Sequence, residues 1–228
     1  MSEGEQVKAD NLALMRDYRG FPGHWRRWGA NVMRILLAHR MTEDSRVLDV
    51  GCGSLRIGRL LIPFLKPGKY CGIEPEKWMV EEGMARELAV EYGWDAVDYK
   101  RPEFTYNREF DLSAFEDGFD LAFAFQVFVH CGREQFAACL DSLWDRLSGP
   151  FLVNVNLGPE TEEIEKDGVG RCYRAASHKG VVYKWDDLVK VATERQKRAW
   201  SLACVNPAQV RDSGKQTMST WVRMEPVG

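Results

Sequence analysis

The chain has 228 residues, 45% hydrophobic and 29% charged, values that fit one globular domain with a substantial core. A formal net charge of -3 without a clustered basic face argues against nucleic acid as a partner, and no apolar run approaches the ~18 residues of a membrane span. Cys52, Cys71, Cys131, Cys139, Cys172 and Cys204 show neither a C-x-x-C pair nor metal-ligand spacing, so they read as reduced and mostly buried.

The opening MSEGEQVKAD is polar and unlike a signal peptide, so the expectation is a soluble, cytoplasmic protein. Residues 1–45 precede the first strand and read as helical, with Trp25, Trp28, Val32, Ile35 and Leu36 at helical spacing. Ahead of that face, Tyr18 to His24 form a turn rich in glycine and aromatic residues. It serves either as a packing element or as a substrate lid.

Arg46 to Gly58, RVLDVGCGSLRIG, organises the rest of the chain. Val47, Leu48 and Val50 form a short strand ending in a glycine-rich turn at Gly51 and Gly53. Leu55, Ile57, Leu60, Leu61 and Phe64 then predict a helix, stopped by Pro67-Gly68. Glycines let the backbone approach a ligand, and the N–H groups of the helix start are expected to point at it. Dinucleotide enzymes use G-x-G-x-x-G there for a pyrophosphate, but Arg56 replaces the third glycine. Asp49, at the strand end, repels a pyrophosphate and attracts a cationic amine. A ligand with an amino-acid end is implied, and S-adenosylmethionine fits; Asp49, Gly51, Cys52 and Gly53 are the candidate contacts.

D-x-G-x-G at the end of a first strand resembles the cofactor motif of class I S-adenosylmethionine-dependent methyltransferases. The string Gly51 to Arg56, GCGSLR, is similar to a bacterial branch whose members often read GCGSLRGG, from which Ile57 departs. Trp25 to Gly29 also resembles a W-R-x-x-G element of that branch. The resemblance implies an α/β fold: a doubly wound, Rossmann-like sheet of about seven strands, mostly parallel with an antiparallel last strand, and helices on both faces. It further implies that residues 1–45 form a helical cap or lid, with His24, Trp25 and Trp28 on the substrate side, and that residues 46–228 form the cofactor-binding domain.

Lys69 to Glu74, KYCGIE, is a second strand ending in an acid 25 positions past Asp49. A carboxylate there can accept both hydroxyls of a ribose. The alternative is an exposed acid opening a helix at Pro75, itself a candidate contact. Trp78, Met79, Met84 and Leu88 lie on the next helix, where Trp78 covers an adenine or packs in the core. A weak strand is expected near Glu103 to Tyr106. Asn107 to Phe115, NREFDLSAF, resembles the family's segment around the adenine, with Asp111 chosen over Asn107 as acceptor for the amino group. A capped turn at Asp111 to Ser113 is the other reading.

Phe119 to Phe125 is a nearly continuous apolar strand, as in the centre of a parallel sheet. It runs into Gln126 to His130, similar to the family's S-V-F-T-H string at the mouth where cofactor and acceptor meet. Gln126 is a candidate cofactor contact. His130 is the candidate catalytic residue, as base or orienting group, against a structural histidine. Next come a helix over Arg133 to Leu147, a strand over Phe151 to Asn156, and a long polar stretch from Leu157 to Gly180 for substrate-side structure. A helix over Asp186 to Arg198, with Arg195 to Arg198 as its solvated end, precedes strands at Trp200 to Val205 and Thr217 to Met224.

Methyl transfer needs alignment, exclusion of water and removal of a proton, so no triad or metal site need be visible. Nucleic-acid base methyltransferases carry Pro-Pro-aromatic where this chain has Gln126-Val127-Phe128, which favours a small-molecule acceptor. The branch resemblance implies a sugar-containing or natural-product metabolite, methylated at oxygen or nitrogen. The alternative is a catalytically silent S-adenosylmethionine-binding sensor or partner subunit.

Overall fold

The computed structural model describes residues 22–161, 165–166, 172–173, 181–194, 199–205 and 218–227. The chain divides into two compact units, Met1–Arg40 and Met41–Gly228. In the first, helix α1 spans Pro22–Ala38. Pro22 suits its first turn because a fixed φ is pre-set for the helix and the missing N–H would be an orphan there. His39 Nδ1 lies 2.8 Å from Ile35 O at the other end, and Arg40 leaves the helix in the left-handed region at φ 69°.

In the second unit the strands are β1 (Val47–Val50), β2 (Tyr70–Ile73), β3 (Glu103–Thr105), β4 (Leu121–Ala124), β5 (Phe151–Leu157), β8 (Trp200–Cys204) and β9 (Met218–Pro226). They form one seven-stranded sheet in the order β3-β2-β1-β4-β5-β9-β8. Strands β1 to β5 pair in parallel, and β9 runs antiparallel between β5 and β8. This is the mostly parallel sheet with an antiparallel last strand that the sequence implies. The order reverses between β1 and β4, which opens a crevice at the carboxyl ends of those strands. Leu48, Val50, Ala122, Ala124, Val153 and Val155 from the sheet, with Phe136, Leu140 and Leu143 from a helix at Arg133–Trp144, form the buried core. Arg46 fastens the start of β1 to β3 through two 2.9 Å bonds to Glu103.

Local elements depart from expectation in four places. Leu55 sits at φ 58°, so α2 begins only at Gly58 (Gly58–Phe64) and not at the turn. The helix carrying Trp78 to Leu88 divides into α3 (Lys77–Gly83), a π-helical turn (Met84–Leu88) and α4 (Ala89–Tyr92). Helix α5 (Trp94–Lys100) was not signalled, because it buries only Val97 and shows no apolar stripe. The stretch after Leu157 includes a two-stranded antiparallel ribbon, β6 (Glu165–Lys166) and β7 (Cys172–Tyr173). Counting the Arg133–Trp144 helix as α6, helix α7 spans Trp185–Thr193, and the basic run Arg195 to Arg198 lies outside the described residues.

Candidate active site

The glycine turn after β1 is shaped by its neighbours. Gly51 and Gly53 take φ of 70° and 53°, dihedrals that a side chain strains. A Cβ on Gly51 would stand 2.5 Å from Val127 Cγ2, so the segment after β4 lies directly against this turn. The turn's N–H groups are committed inward: Gly51 and Cys52 both donate to Ile73 O, at 2.8 and 3.1 Å, and Gly53 donates to Glu74 Oε2 at 3.0 Å. These are donors of the turn itself, and the helix start expected to face the ligand lies further on, at Gly58. With three donors consumed by the end of β2 and α2 starting late, the turn offers little to a phosphate.

Two acids flank it instead. Asp49 is 3% exposed, paired in register between Gly72 of β2 and Phe123 of β4, and accepts a 2.8 Å hydrogen bond from the Tyr70 hydroxyl. Burial pushes its carboxyl up to about 7 against that hydrogen bond, and the charge of Glu74 adds to the rise. Glu74 is 8% exposed and accepts from the Gly53 and Glu76 amides, at 3.0 and 3.1 Å. Burial raises its pKa and the two amides oppose the shift. A carboxylate has about four acceptor positions, so two remain for a pair of hydroxyls. Cys52 turns its side chain away: its Sγ would lie 2.9 Å from a Cβ on Gly72, and burial raises the thiol well above its ordinary range. Pro75 follows Glu74 on the surface, with α3 beginning at Lys77.

The segment after β3 borders Glu74. Asn107 clamps the backbone of Asp111 at both ends of its carboxamide, with Oδ1 accepting from Asp111 N and Nδ2 donating to Asp111 O, each at 2.9 Å. The Asp111 carboxylate takes the Ser113 amide at 2.9 Å and hydroxyl at 3.0 Å, the capped turn of the alternative reading. These bonds hold its pKa below the usual range. An ion pair joins Arg108 to Glu76, and Phe110 stacks on Phe128 at 6.0 Å, so this segment touches both the β2 and β4 ends.

On the far side of Val127, Gln126 takes φ 61° and its Nε2 donates to Asn154 Oδ1 at 2.7 Å. The orientation of both amides descends from one anchor. Thr220 O can only accept, so the Asn154 group 3.1 Å from it is Nδ2; Oδ1 then faces Gln126, whose Nε2 must point inward. The Oε1 of Gln126 is therefore the end turned away from Asn154. Asn154 Nδ2 also lies 3.1 Å from Ser219 Oγ, while Phe125 and Trp221 stack at 5.8 Å beside it. His130 is half-buried and donates its amide to Val127 O at 2.8 Å. Its neighbours are pinned from the chain after β7: Val181 N donates to Val129 O, and the Tyr183 hydroxyl to Cys131 O.

The structure thus brings together Asp49, Gly51, Cys52, Gly53, Glu74 and the Gln126 segment. His24 and Trp25 lie on α1, with side chains outside the described residues, and Trp28 is 44% exposed within the first unit. Sequence reasoning missed Tyr70 and Asn154. The signals were a tyrosine two positions before Gly72, on the face of β2 that meets Asp49, and a polar residue inside the apolar run FLVNVNL.

No protein-family model matches the chain, and no curated protein matches it in sequence. Solved structures do share its architecture, and at 12–15% identity the three described here define the fold alone: that of S-adenosylmethionine-dependent methyltransferases. An S-adenosylmethionine-dependent methyltransferase from Clostridium acetobutylicum ATCC 824 aligns at TM-score 0.62 and 14% identity, over 96% of this chain and 99% of that one. Magnesium protoporphyrin IX methyltransferase from Synechocystis PCC 6803, solved with bound S-adenosylmethionine, aligns at 0.55 and 15%, over 90% and 80%. The glycopeptide N-methyltransferase MtfA, complexed with sinefungin, aligns at 0.56 and 12%, over 88% and 87%. Among the described residues, no helix is long and apolar enough to cross a membrane, and no group of three or more His, Cys, Asp or Glu is placed to hold a metal ion.

Proposed function

We propose that the chain is an S-adenosylmethionine-dependent methyltransferase acting on a small-molecule acceptor. The observation that carries this reading is the inversion of the glycine turn. Its N–H groups at 51, 52 and 53 point inward, while two buried carboxylates flank it. A ligand seated there must bring donors: an ammonium for Asp49 and neighbouring hydroxyls for Glu74, which are the two ends of this cofactor. The fold likeness to methyltransferases solved with the cofactor or sinefungin supports it. Pro75, Asp111 and Gln126 are assigned to the cofactor with them, and Cys52 through its backbone.

When bound, S-adenosylmethionine supplies a methyl group on a sulfonium, an excellent leaving group. The chain's part is alignment, exclusion of water and the fate of a proton. His130 receives or orients that proton on the acceptor side, a role open to an imidazole because its ring nitrogens can both accept and donate. Gln126 Oε1, the end turned away from Asn154, offers a hydrogen-bond acceptor to the cofactor, and the atom methylated is an oxygen or nitrogen of the acceptor. A sugar-containing or natural-product metabolite is the acceptor class, nucleic acid is disfavoured by charge, and residues 1–45 act as a lid carrying His24, Trp25 and Trp28. These last assignments rest on the sequence resemblance.

Incubation with labelled cofactor and fractionated metabolite extracts should yield S-adenosylhomocysteine together with a product heavier by one methyl group. Tight cofactor binding with no S-adenosylhomocysteine formed against any fraction would favour the silent binding domain.

A further inference from the structure

Beneath the glycine turn, Tyr70 is 2% exposed, and its hydroxyl donates to Asp49 Oδ2 at 2.8 Å. The fold makes room for that hydroxyl specifically. A Cβ on Gly58, the first residue of α2, would stand 2.8 Å from it and 3.0 Å from Leu55 Cδ2. Leu55 in turn sits at φ 58°, ahead of the late start of the helix. The charged and titratable groups acting on Asp49 are Tyr70 from β2, Glu74 from its end and Cys52 from the turn, while β4 presents Phe123. Glu74 and an ionised Asp49 repel each other, and the phenol is a neutral donor. Among the described residues these are the side chains that shift Asp49, and none of them is a cation, so a buried carboxylate in such company gains from a ligand that brings one.

We propose that Tyr70 is a positioning residue for the cofactor: its phenol orients Asp49 and favours the anion, so that capture of the cofactor's ammonium is coupled to release of one proton from Asp49. The inference rests on the proposed contact between Asp49 and that ammonium. The balance is simple: the carboxyl group loses its proton to solvent, and the carboxylate then pairs with the ammonium, with no bond formed to the ligand. Since the free carboxyl is pushed up to about 7, release is nearly complete at pH 6, falls to about half at pH 7 and is nearly gone by pH 8. Tyr70 acts against burial, and removing its hydroxyl moves the titration upward.

The test is calorimetric titration with S-adenosylhomocysteine from about pH 5.5 to 8.5, in buffers of different ionisation enthalpy so that protons are counted. For the wild type, affinity should fall about tenfold per pH unit below the midpoint, with close to one proton released. Tyr70→Phe should move that midpoint up by about one unit, weaken binding about tenfold at pH 6 and about fivefold at pH 7, and approach the wild type at the alkaline end. Asp49→Asn should bind weakly, without pH dependence and without the proton. A Tyr70→Phe curve that superimposes on the wild type, or lies below it by the same factor at every pH, overturns the proposal while leaving the Asp49 contact intact. If Asp49→Asn binds like the wild type, the contact itself fails. Should Tyr70→Phe not fold, wild-type binding near pH 6 without proton release is sufficient to overturn it.

Discussion

The β1–β2 half of the site is joined by bonds between residues 21 positions apart, Asp49 with Tyr70 and Gly53 with Glu74. The half beyond β4 is joined by Gln126 to Asn154, 28 apart, and Asn154 to Ser219, 65 apart. The first half depends on backbone shape: left-handed glycines, a close approach by Val127, and acids with almost no solvent. The second depends on side-chain amides whose orientation descends from one carbonyl, Thr220 O. A backbone device tolerates almost no substitution. An amide network can be reset by exchanging one side chain.

The contrast breaks most sharply at Gly51. Gly51→Ala must hold a side chain at φ 70° and drive its Cβ into Val127. The dihedral alone costs about 1–2 kcal/mol, and the contact adds to it. Affinity for S-adenosylhomocysteine should fall by on the order of a hundredfold or more, read by calorimetry on protein with native circular dichroism. Adding Val127→Ala should recover part of the loss, because it relieves the contact and leaves the dihedral. Full recovery would show that space, not dihedral, governs the turn.

The acids come next. Asp49→Asn and Glu74→Ala should each weaken cofactor binding by roughly ten- to a hundredfold, the usual loss of a charge-assisted contact. Asp49 carries an opposite expectation for stability. Its folded pKa of about 7 lies above the ordinary 3.8, so between those values the unfolded chain releases a proton that the folded chain keeps. Stability without ligand therefore declines as pH rises through that window. Asp49→Asn should then raise Tm above pH 7 and leave it nearly unchanged near pH 4, while the same variant loses affinity. A variant with lower Tm than the wild type at pH 8 would mean that Asp49 sits there for structure.

His130→Ala probes the other half. Turnover should fall by about 10²-fold if the imidazole is a general base, with affinity for S-adenosylhomocysteine unchanged within about threefold. Normal turnover, or a loss of Tm in place of activity, assigns His130 to packing.

The same contrast explains what the sequence made legible. That Asp49, Gly51, Gly53 and Glu74 meet at one turn could be read because the pattern is written in adjacent residues: glycine where the chain must bend, an acid where a strand ends. The path just after the turn was misjudged because Leu55 is a good helix former, yet tertiary packing holds it at φ 58°. Tyr70 was invisible because its meaning depends on the register that pairs Val47 with it and Asp49 with Gly72. Asn154 was passed over in an apolar strand, since it and its partners Gln126 and Ser219 come from three separate segments of chain brought together only by the sheet order. Helix α5 left no stripe because most of its surface faces water.

The smallest effect belongs to the segment after β3, where Asn107 and Asp111 are the two residues proposed for the adenine. Asp111 spends both oxygens on Ser113, and its exposed carboxylate is screened by solvent. Asn107 instead closes the backbone of residues 107–111 into a ring through two 2.9 Å bonds. Shape at this point is therefore kept by Asn107, and Asp111 offers an acceptor weakened by solvent. Asp111→Ala should weaken S-adenosylhomocysteine by about threefold, whereas Asn107→Ala, by opening the ring, should cost closer to tenfold. Comparing each variant's affinity for S-adenosylhomocysteine with that for the analogue bearing hypoxanthine in place of adenine separates the two roles. If Asp111 accepts the amino group, wild type and Asn107→Ala should discriminate against the analogue and Asp111→Ala should not. Equal discrimination by all three would move the adenine contact to the backbone of this segment.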